Sequence, residues 1–251
     1  MSLFEELIED REGDDKIIKS FKPKDTLSDQ IFEESKNGFT MKDDVRKRLL
    51  EIADEFIDSL NIDFFIHDVV LTGSLSNYNW SSFSDVDLHI LIDFSESKYN
   101  SDLVKEFFDS KKAIWNEKHD IKIKGYDVEL YVQDVKEEHV SSGVYSALHN
   151  KWVVKPKKDT PKIDDRKILE KGEDFAKRID NLIKKGKNKD VIIDIENLRK
   201  KIKDFRQSGL ESGGEYSYEN LVFKLLRRNG YIEKLIKLKT ALTDKKLSIT
   251  Q

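Results

Sequence analysis

The stretch that most narrows what this chain can fold into runs from Val69 to Ile92. An apolar run, Val69-Val70-Leu71-Thr72, ends in Gly73-Ser74; ten residues follow, and Asp85-Val86-Asp87 then opens a second apolar run. The second run alternates. Val86, Leu88, Ile90 and Ile92 fall on one face of a strand and Asp85, Asp87 and His89 on the other, because successive side chains of an extended chain point to opposite sides. The aliphatic face needs a core to cover it, so the two aspartates project together from the polar face, ~6–7 Å apart. Carboxylates that close repel each other and bind a divalent cation readily; such hard oxygen ligands suit Mg2+ or Mn2+. Gly-Ser after a strand supplies a tight turn with free backbone N–H groups, which suits a phosphate.

Helix and strand patterns alternate around this stretch. Val45, Leu49, Ile52, Ala53, Phe56, Ile57 and Leu60 recur at helical spacing, and Thr40 with Asp43 three residues on reads as the start of that helix. The spacer 75–84, with Asn77, Asn79 and four serines, is too polar and turn-rich for a strand; its Trp80 and Phe83 are read as packing residues. A helix beginning at Ser101 carries Leu103, Val104, Phe107, Phe108, Ile114 and Trp115. Residues 121–133 read as a strand pair or one bent strand, with Val128, Leu130 and Val132 inward and Asp127, Glu129, Tyr131 and Gln133 outward. Residues 1–38, with anchors such as Leu3, Phe4, Leu7, Ile17, Ile18 and Phe21, are expected to form short helices joined by loops. Residues 134–156 are expected to form a loop or short helix near the cleft. There Tyr145 and Trp152 belong to the core or, alternatively, stack on a nucleobase. His139 and His149 have no partner at the spacing of a zinc site.

Lys155-Pro156-Lys157-Lys158-Asp159-Thr160-Pro161 is the natural boundary. Beyond it the periodicity is helical: 163–185, 190–207, a loop at Gly209–Gly214, a helix capped by Ser217 and ended by Gly230, and a last helix. Three segments follow: an N-terminal helical extension (1–40), a sheet-bearing domain (41–156) and a helical bundle (157–251). Charge divides along the same line. Residues 1–150 hold 18 Lys+Arg against 33 Asp+Glu, a net −15, whereas residues 151–251 carry a net +11. The basic half could attract a polyanion such as RNA or a triphosphate. Lys224, Arg227 and Arg228, three and four residues apart on one helix face, are candidates for that contact, with ordinary surface charge the alternative. The chain has no cysteine, which excludes disulfides and thiolate metal sites. It also has no stretch long and apolar enough for a membrane span, and Met1–Glu6 lacks the basic region of a signal peptide. A soluble, cytoplasmic protein with no membrane partner is expected.

Strand, Gly73-Ser74, ten residues, Asp85-x-Asp87 on a strand and a later acid on another alternating strand together resemble the signature of the DNA polymerase β-like nucleotidyltransferase superfamily. The motif covers roughly residues 69–133. The resemblance implies an α+β fold: a small mixed sheet with helices on one face, followed by a C-terminal helical bundle. That bundle is similar in architecture alone to the one following the catalytic domain in poly(A) polymerases and oligoadenylate-type synthases. Asp85 and Asp87 would bind two Mg2+ or Mn2+ ions. A third carboxylate is implied on a later neighbouring strand: Glu129, within Val128-Glu129-Leu130, fits best, and Asp127 is the runner-up. The superfamily more often has Asp there. Gly73 and Ser74 would hold the β and γ phosphates of an NTP such as ATP. Asn77-Tyr78-Asn79-Trp80 with the later basic helix also resembles nucleotidyltransferase-domain proteins of tailed bacteriophages. The implied activity transfers an NMP from an NTP to an acceptor hydroxyl on an RNA end, a protein or a small molecule. The alternatives are an oligo- or cyclic-nucleotide synthase and an inactive nucleotide- or RNA-binding protein.

Overall fold

The computed structural model describes residues 13–36, 38–62, 64–139, 141–186 and 191–249. The chain forms two units: Pro23–Thr160 makes one, and Met1–Lys22 with Pro161–Gln251 the other. Residues 13–22 therefore belong to the helical unit at the far end of the sequence, and residues 23–40 to the sheet unit. Leu3, Phe4 and Leu7 lie outside the described residues.

In the helical unit, α1 (Asp14–Lys19) precedes the crossing into the sheet unit. After the return come α4 (Asp165–Lys185), α5 (Val191–Gly213), α6 (Tyr218–Arg228) and α7 (Tyr231–Leu247). Each long helix buries one stripe, such as Ile168, Phe175, Ile179 and Ile183 of α4 and Leu221, Val222 and Leu225 of α6. The loop expected at Gly209–Gly214 is instead the last turn of α5 running into a short 3-10 turn, Gly214–Tyr216. Gly209, within α5, lies against Ser217 and Glu219, where a Cβ would not fit. Ser217 caps α6 by accepting the Asn220 N–H at 3.4 Å, and Gly230, at φ +71°, ends it. Asp14 and Ser20 reach Asn229 and Arg228 at the end of α6.

In the sheet unit, a hairpin of β1 (Phe32–Ser35) and β2 (Gly38–Met41) leads into α2 (Asp43–Ser59). Of the short helices expected over 1–38, α1 forms at Asp14–Lys19, whereas the hairpin takes the place of a helix from Phe32 on. The Thr40 hydroxyl serves it, donating to Ser35 at 3.2 Å, rather than capping α2; Lys42 occupies the cap position without a side-chain bond. β3 (Asp68–Thr72), β4 (Val86–Ile92), α3 (Ser101–Lys118), β5 (Lys122–Ile123), β6 (Tyr126–Asp134), β7 (Val144–Ser146) and β8 (Lys151–Val154) follow. The strands join in a curled six-stranded mixed sheet ordered β5-β6-β4-β3-β7-β8, in which β4 and β6 run parallel and the other pairs antiparallel.

Its core lies where the alternation demands. Val86, Leu88, Ile90 and Ile92 are fully buried and pack with Val69 and Leu71 of β3, Leu130 of β6, and the apolar stripes of α2 and α3. The opposite face carries Asp87 and His89 of β4. β7 and β8 correct the loop expected over 134–156. Tyr145 is buried, Trp152 stacks on Phe32 with ring centroids 5.1 Å apart, and the Trp152 indole N–H donates to the Phe39 carbonyl at 2.8 Å. Both aromatics are thus core residues. Among the described residues, no helix is long and apolar enough to cross a membrane.

Candidate active site

Strand register brings the predicted residues together. β3 ends at Thr72, which pairs with Asp87 at the start of β4. β4 runs parallel to β6, and there Asp87 pairs with Glu129. The turn after β3 and the acids of β4 and β6 therefore meet at one end of three adjacent strands. Because faces alternate in step along paired strands, Asp87 and Glu129 project side by side, with His89 and Tyr131 in the next row.

Gly73 is required there twice over. Its backbone (φ +70°, ψ −156°) lies in a region open essentially to glycine alone. A Cβ at Gly73 would also collide with the Asp87 carboxylate. The turn is braced from behind: the Gly73 carbonyl accepts from Asn77 Nδ2 at 2.8 Å and from the Ser76 hydroxyl at 3.0 Å. Ser76 Oγ also lies 2.7 Å from the Gly143 carbonyl, and the Ser142 hydroxyl donates to Asn77 Oδ1 at 3.0 Å. The spacer opens in a single 3-10 turn, Ser74–Ser76. Ser74 Oγ and Ser84 Oγ, at the two ends of the spacer, are 2.7 Å apart. The Ser74 hydroxyl is the donor of that pair, and Ser84 Oγ also accepts the Ser81 N–H at 3.0 Å.

Of the two candidates for a third acid, Glu129 pairs with Asp87 and Asp127 does not. Asp127 is exposed and ion-paired with Lys122 across the β5–β6 hairpin. Glu129 pairs with Asp87 across β4 and β6 and shares its strand face with Tyr131, two residues along. Burial pushes the Tyr131 phenol well above its ordinary value, and the neighbouring Glu129, Asp87 and Asp85 add to the effect. His89 stacks on Tyr131 (4.8 Å, 29°), and its Nδ1 donates to Gln133 Oε1 at 3.0 Å. Burial also holds the His89 imidazolium below its ordinary range. Lys112 of α3 sets its ammonium 4.8 Å from the Tyr131 ring centre. Asp85, just before β4, lines with Glu129 and Asp127 a cleft of about 520 Å³ between the start of β6 and the end of α3.

Asp85, Asp87 and Glu129 offer only carboxylate oxygens, the donor set of a hard divalent cation. Among the described residues, however, no three His, Cys, Asp or Glu side chains gather into a ready group for a metal ion. The arrangement is a paired Asp87–Glu129 with Asp85 beside it. Gly143 and Tyr131 adjoin this arrangement without being singled out by the sequence pattern, whereas Asn77 falls in the Asn77-Tyr78-Asn79-Trp80 stretch. For Tyr131 a signal existed, its two-residue spacing from Glu129 on one strand face. Gly143 had none, since its contact with the spacer is set by tertiary structure.

The basic residues of α6 find partners within the helical unit. Lys224 is mostly buried and pairs with Glu215 at 2.6 Å, and burial pushes its ammonium below its ordinary value. Arg228 bonds Ser20 and lies 5.2 Å from the centre of the Phe21 ring. Arg227 is exposed. The chain matches no protein-family model, no curated protein and no solved structure.

Proposed function

We propose that this protein is a nucleotidyltransferase of the DNA polymerase β-like kind, moving an NMP from an NTP to an acceptor hydroxyl. One observation supports the reading above the others. The glycine of the phosphate-type turn is packed against the carboxylate of Asp87, and Glu129 stands beside that same aspartate. A phosphate-binding turn and a carboxylate pair that share one strand end are what in-line phosphoryl transfer needs, because the chemistry depends on positioning and charge far more than on covalent help. The acceptor hydroxyl gives up its proton to solvent, its oxygen forms a bond to the α phosphorus, the α–β anhydride bond breaks, and pyrophosphate leaves.

The backbone N–H groups after Gly73 and the Ser74 hydroxyl would bind the β and γ phosphates, with Asn77 and Ser76 keeping the turn in shape. Asp85, Asp87 and Glu129 would hold Mg2+ or Mn2+, which when bound supplies neutralising charge to the phosphates and the acceptor oxygen. The spacer, fixed through Trp80 to the Thr26 carbonyl at 2.9 Å and through the Lys24 N–H to the Tyr78 carbonyl at 2.7 Å, keeps the turn in register with the acids.

The test is incubation with each labelled NTP and Mg2+ or Mn2+, alone and with RNA, protein or small-molecule acceptors. Label transferred to an acceptor with release of pyrophosphate, abolished by Asp87→Asn, is the expected result. Products made of nucleotide alone would instead identify an oligo- or cyclic-nucleotide synthase. Equal inertness of wild type and Asp87→Asn with every acceptor, with nucleotide still bound by both, would defeat the enzymatic reading.

A further inference from the structure

We infer that Asn229-Gly230, the junction of α6 and α7, is a deamidation site that α1 keeps closed, and that its conversion prevents α1 from docking again. The chemistry is intramolecular. The Gly230 amide nitrogen attacks the side-chain carbonyl carbon of Asn229, and the side-chain nitrogen leaves as ammonia, taking the proton that Gly230 loses. Water then opens the succinimide at either carbonyl, giving aspartate or isoaspartate. Glycine in the second position favours the attack, because without a Cβ it neither shields its nitrogen nor restricts the backbone.

In the fold, the groups that must react are engaged elsewhere. The Gly230 N–H donates to the Arg227 carbonyl and the Asn229 N–H to the Leu225 carbonyl, each at 3.0 Å. Asn229 Nδ2, the group that leaves, donates to the carboxylate of Asp14 at the start of α1. α1 is seated through Ile17 and Ile18, both buried, but it is only six residues long. A short terminal element of this kind opens without global unfolding. Attack on Asn229 thus needs α1 to lift and the last turn of α6 to fray. The product does not fit back. An aspartate at 229 sets a second carboxylate against Asp14 where a hydrogen bond stood, and Glu173 lines the same small cavity. An isoaspartate inserts a methylene into the backbone between the two helix-end hydrogen bonds.

The full chain is held in mildly alkaline buffer, and tryptic mapping by mass spectrometry follows peptide 229–234 apart from the other Asn-Gly pair, Asn37-Gly38. Folded wild type should convert Asn229 far more slowly than the same chain in urea. Asp14→Ala should speed conversion of the folded chain about tenfold, the effect on opening of losing one hydrogen bond to a charged group. The rate at Asn37 should not change. Asn229→Asp, which mimics one product, should make Lys19 of α1 a faster site for native-state trypsin. Combining it with Asp14→Asn restores a hydrogen bond with donor and acceptor exchanged, and should return wild-type resistance. Equal conversion of Asn229 in wild type and Asp14→Ala, or in folded and urea-unfolded wild type, would overturn the guarding role of α1. Asn229→Asp as resistant as wild type, or not rescued by Asp14→Asn, would overturn the block on docking.

Discussion

At the scale of single residues, Gly73 carries two constraints that no other residue meets. Its backbone conformation would cost a side-chain-bearing residue of order 1–3 kcal/mol, and its α-carbon leaves room for nothing but hydrogen beside Asp87. Gly73→Ala is therefore expected to lower the unfolding free energy in urea by about 1–3 kcal/mol. By displacing Asp87, it should also abolish the labelled transfer. A second prediction concerns Asp93, just past the end of β4. The Ser95 hydroxyl, the Ser95 N–H and the Lys136 ammonium hold its carboxyl down to about 2, from an ordinary 3.8. A depressed carboxylate adds stability that is complete above its unfolded value and is lost as pH falls through the folded one. An NMR titration should thus place the Asp93 midpoint near pH 2, and Ser95→Ala should move it up towards 3.8. The acids themselves were legible, because strict alternation along the chain sets Asp85 and Asp87 opposite four aliphatics. The preference for Glu129 over Asp127 came from the resemblance and not from the alternation. Both share a face, and only the β4–β6 register and the Lys122 ion pair separate them.

At the scale of elements, long amphipathic segments were readable and short ones were not. α2, α3 and the C-terminal helices bury enough periodic apolar residues to declare themselves, and Asp85–Ile92 does so as a strand. β1 buries only Phe32 and exposes Glu33, Glu34 and Ser35, so four residues without alternation carry no strand signal. β7 and β8 are equally short, and pairing with β3 defines them where their own pattern does not. Within the helical unit, Gly172 of α4 lets that helix approach α6 closely: a Cβ there would lie 2.6 Å from Leu225 Cδ2. Such a contact has to be relieved by movement on the opposing helix. Gly172→Val is expected to destabilise the protein by about 1–3 kcal/mol, as overpacking does. Combining it with Leu225→Ala, which opens the space, should cost less than the sum of the two single changes; thermal or urea unfolding of the four proteins measures the coupling.

At the scale of the whole molecule, the boundary near Pro161 was visible from its prolines and lysines, but the one at Lys22 was not. Nothing local in residues 13–22 says that their partners lie some two hundred positions away. Ile17, Ile18 and Phe21 are all buried, and a fully buried side chain of this size is worth about 1.5–3 kcal/mol. A fragment of residues 161–251 is therefore expected to unfold at a distinctly lower temperature than the helical unit of the full chain. Adding a peptide of residues 13–22 should raise its midpoint. Residues 23–160 hold their own continuous core and should unfold cooperatively when expressed alone.

The interleaving of the two units also sets an order of events at the ribosome. The bond between Arg228 and Ser20 spans 208 positions. At translation speeds of about 5–20 residues per second, roughly 10–40 s separate the appearance of its two ends. During that interval the apolar side of α1 waits for the helices it packs with, and every residue of the sheet unit emerges before the first of them begins at Asp165. The turn and the acids can thus assemble early, and the helical unit is the last part of the molecule to become native.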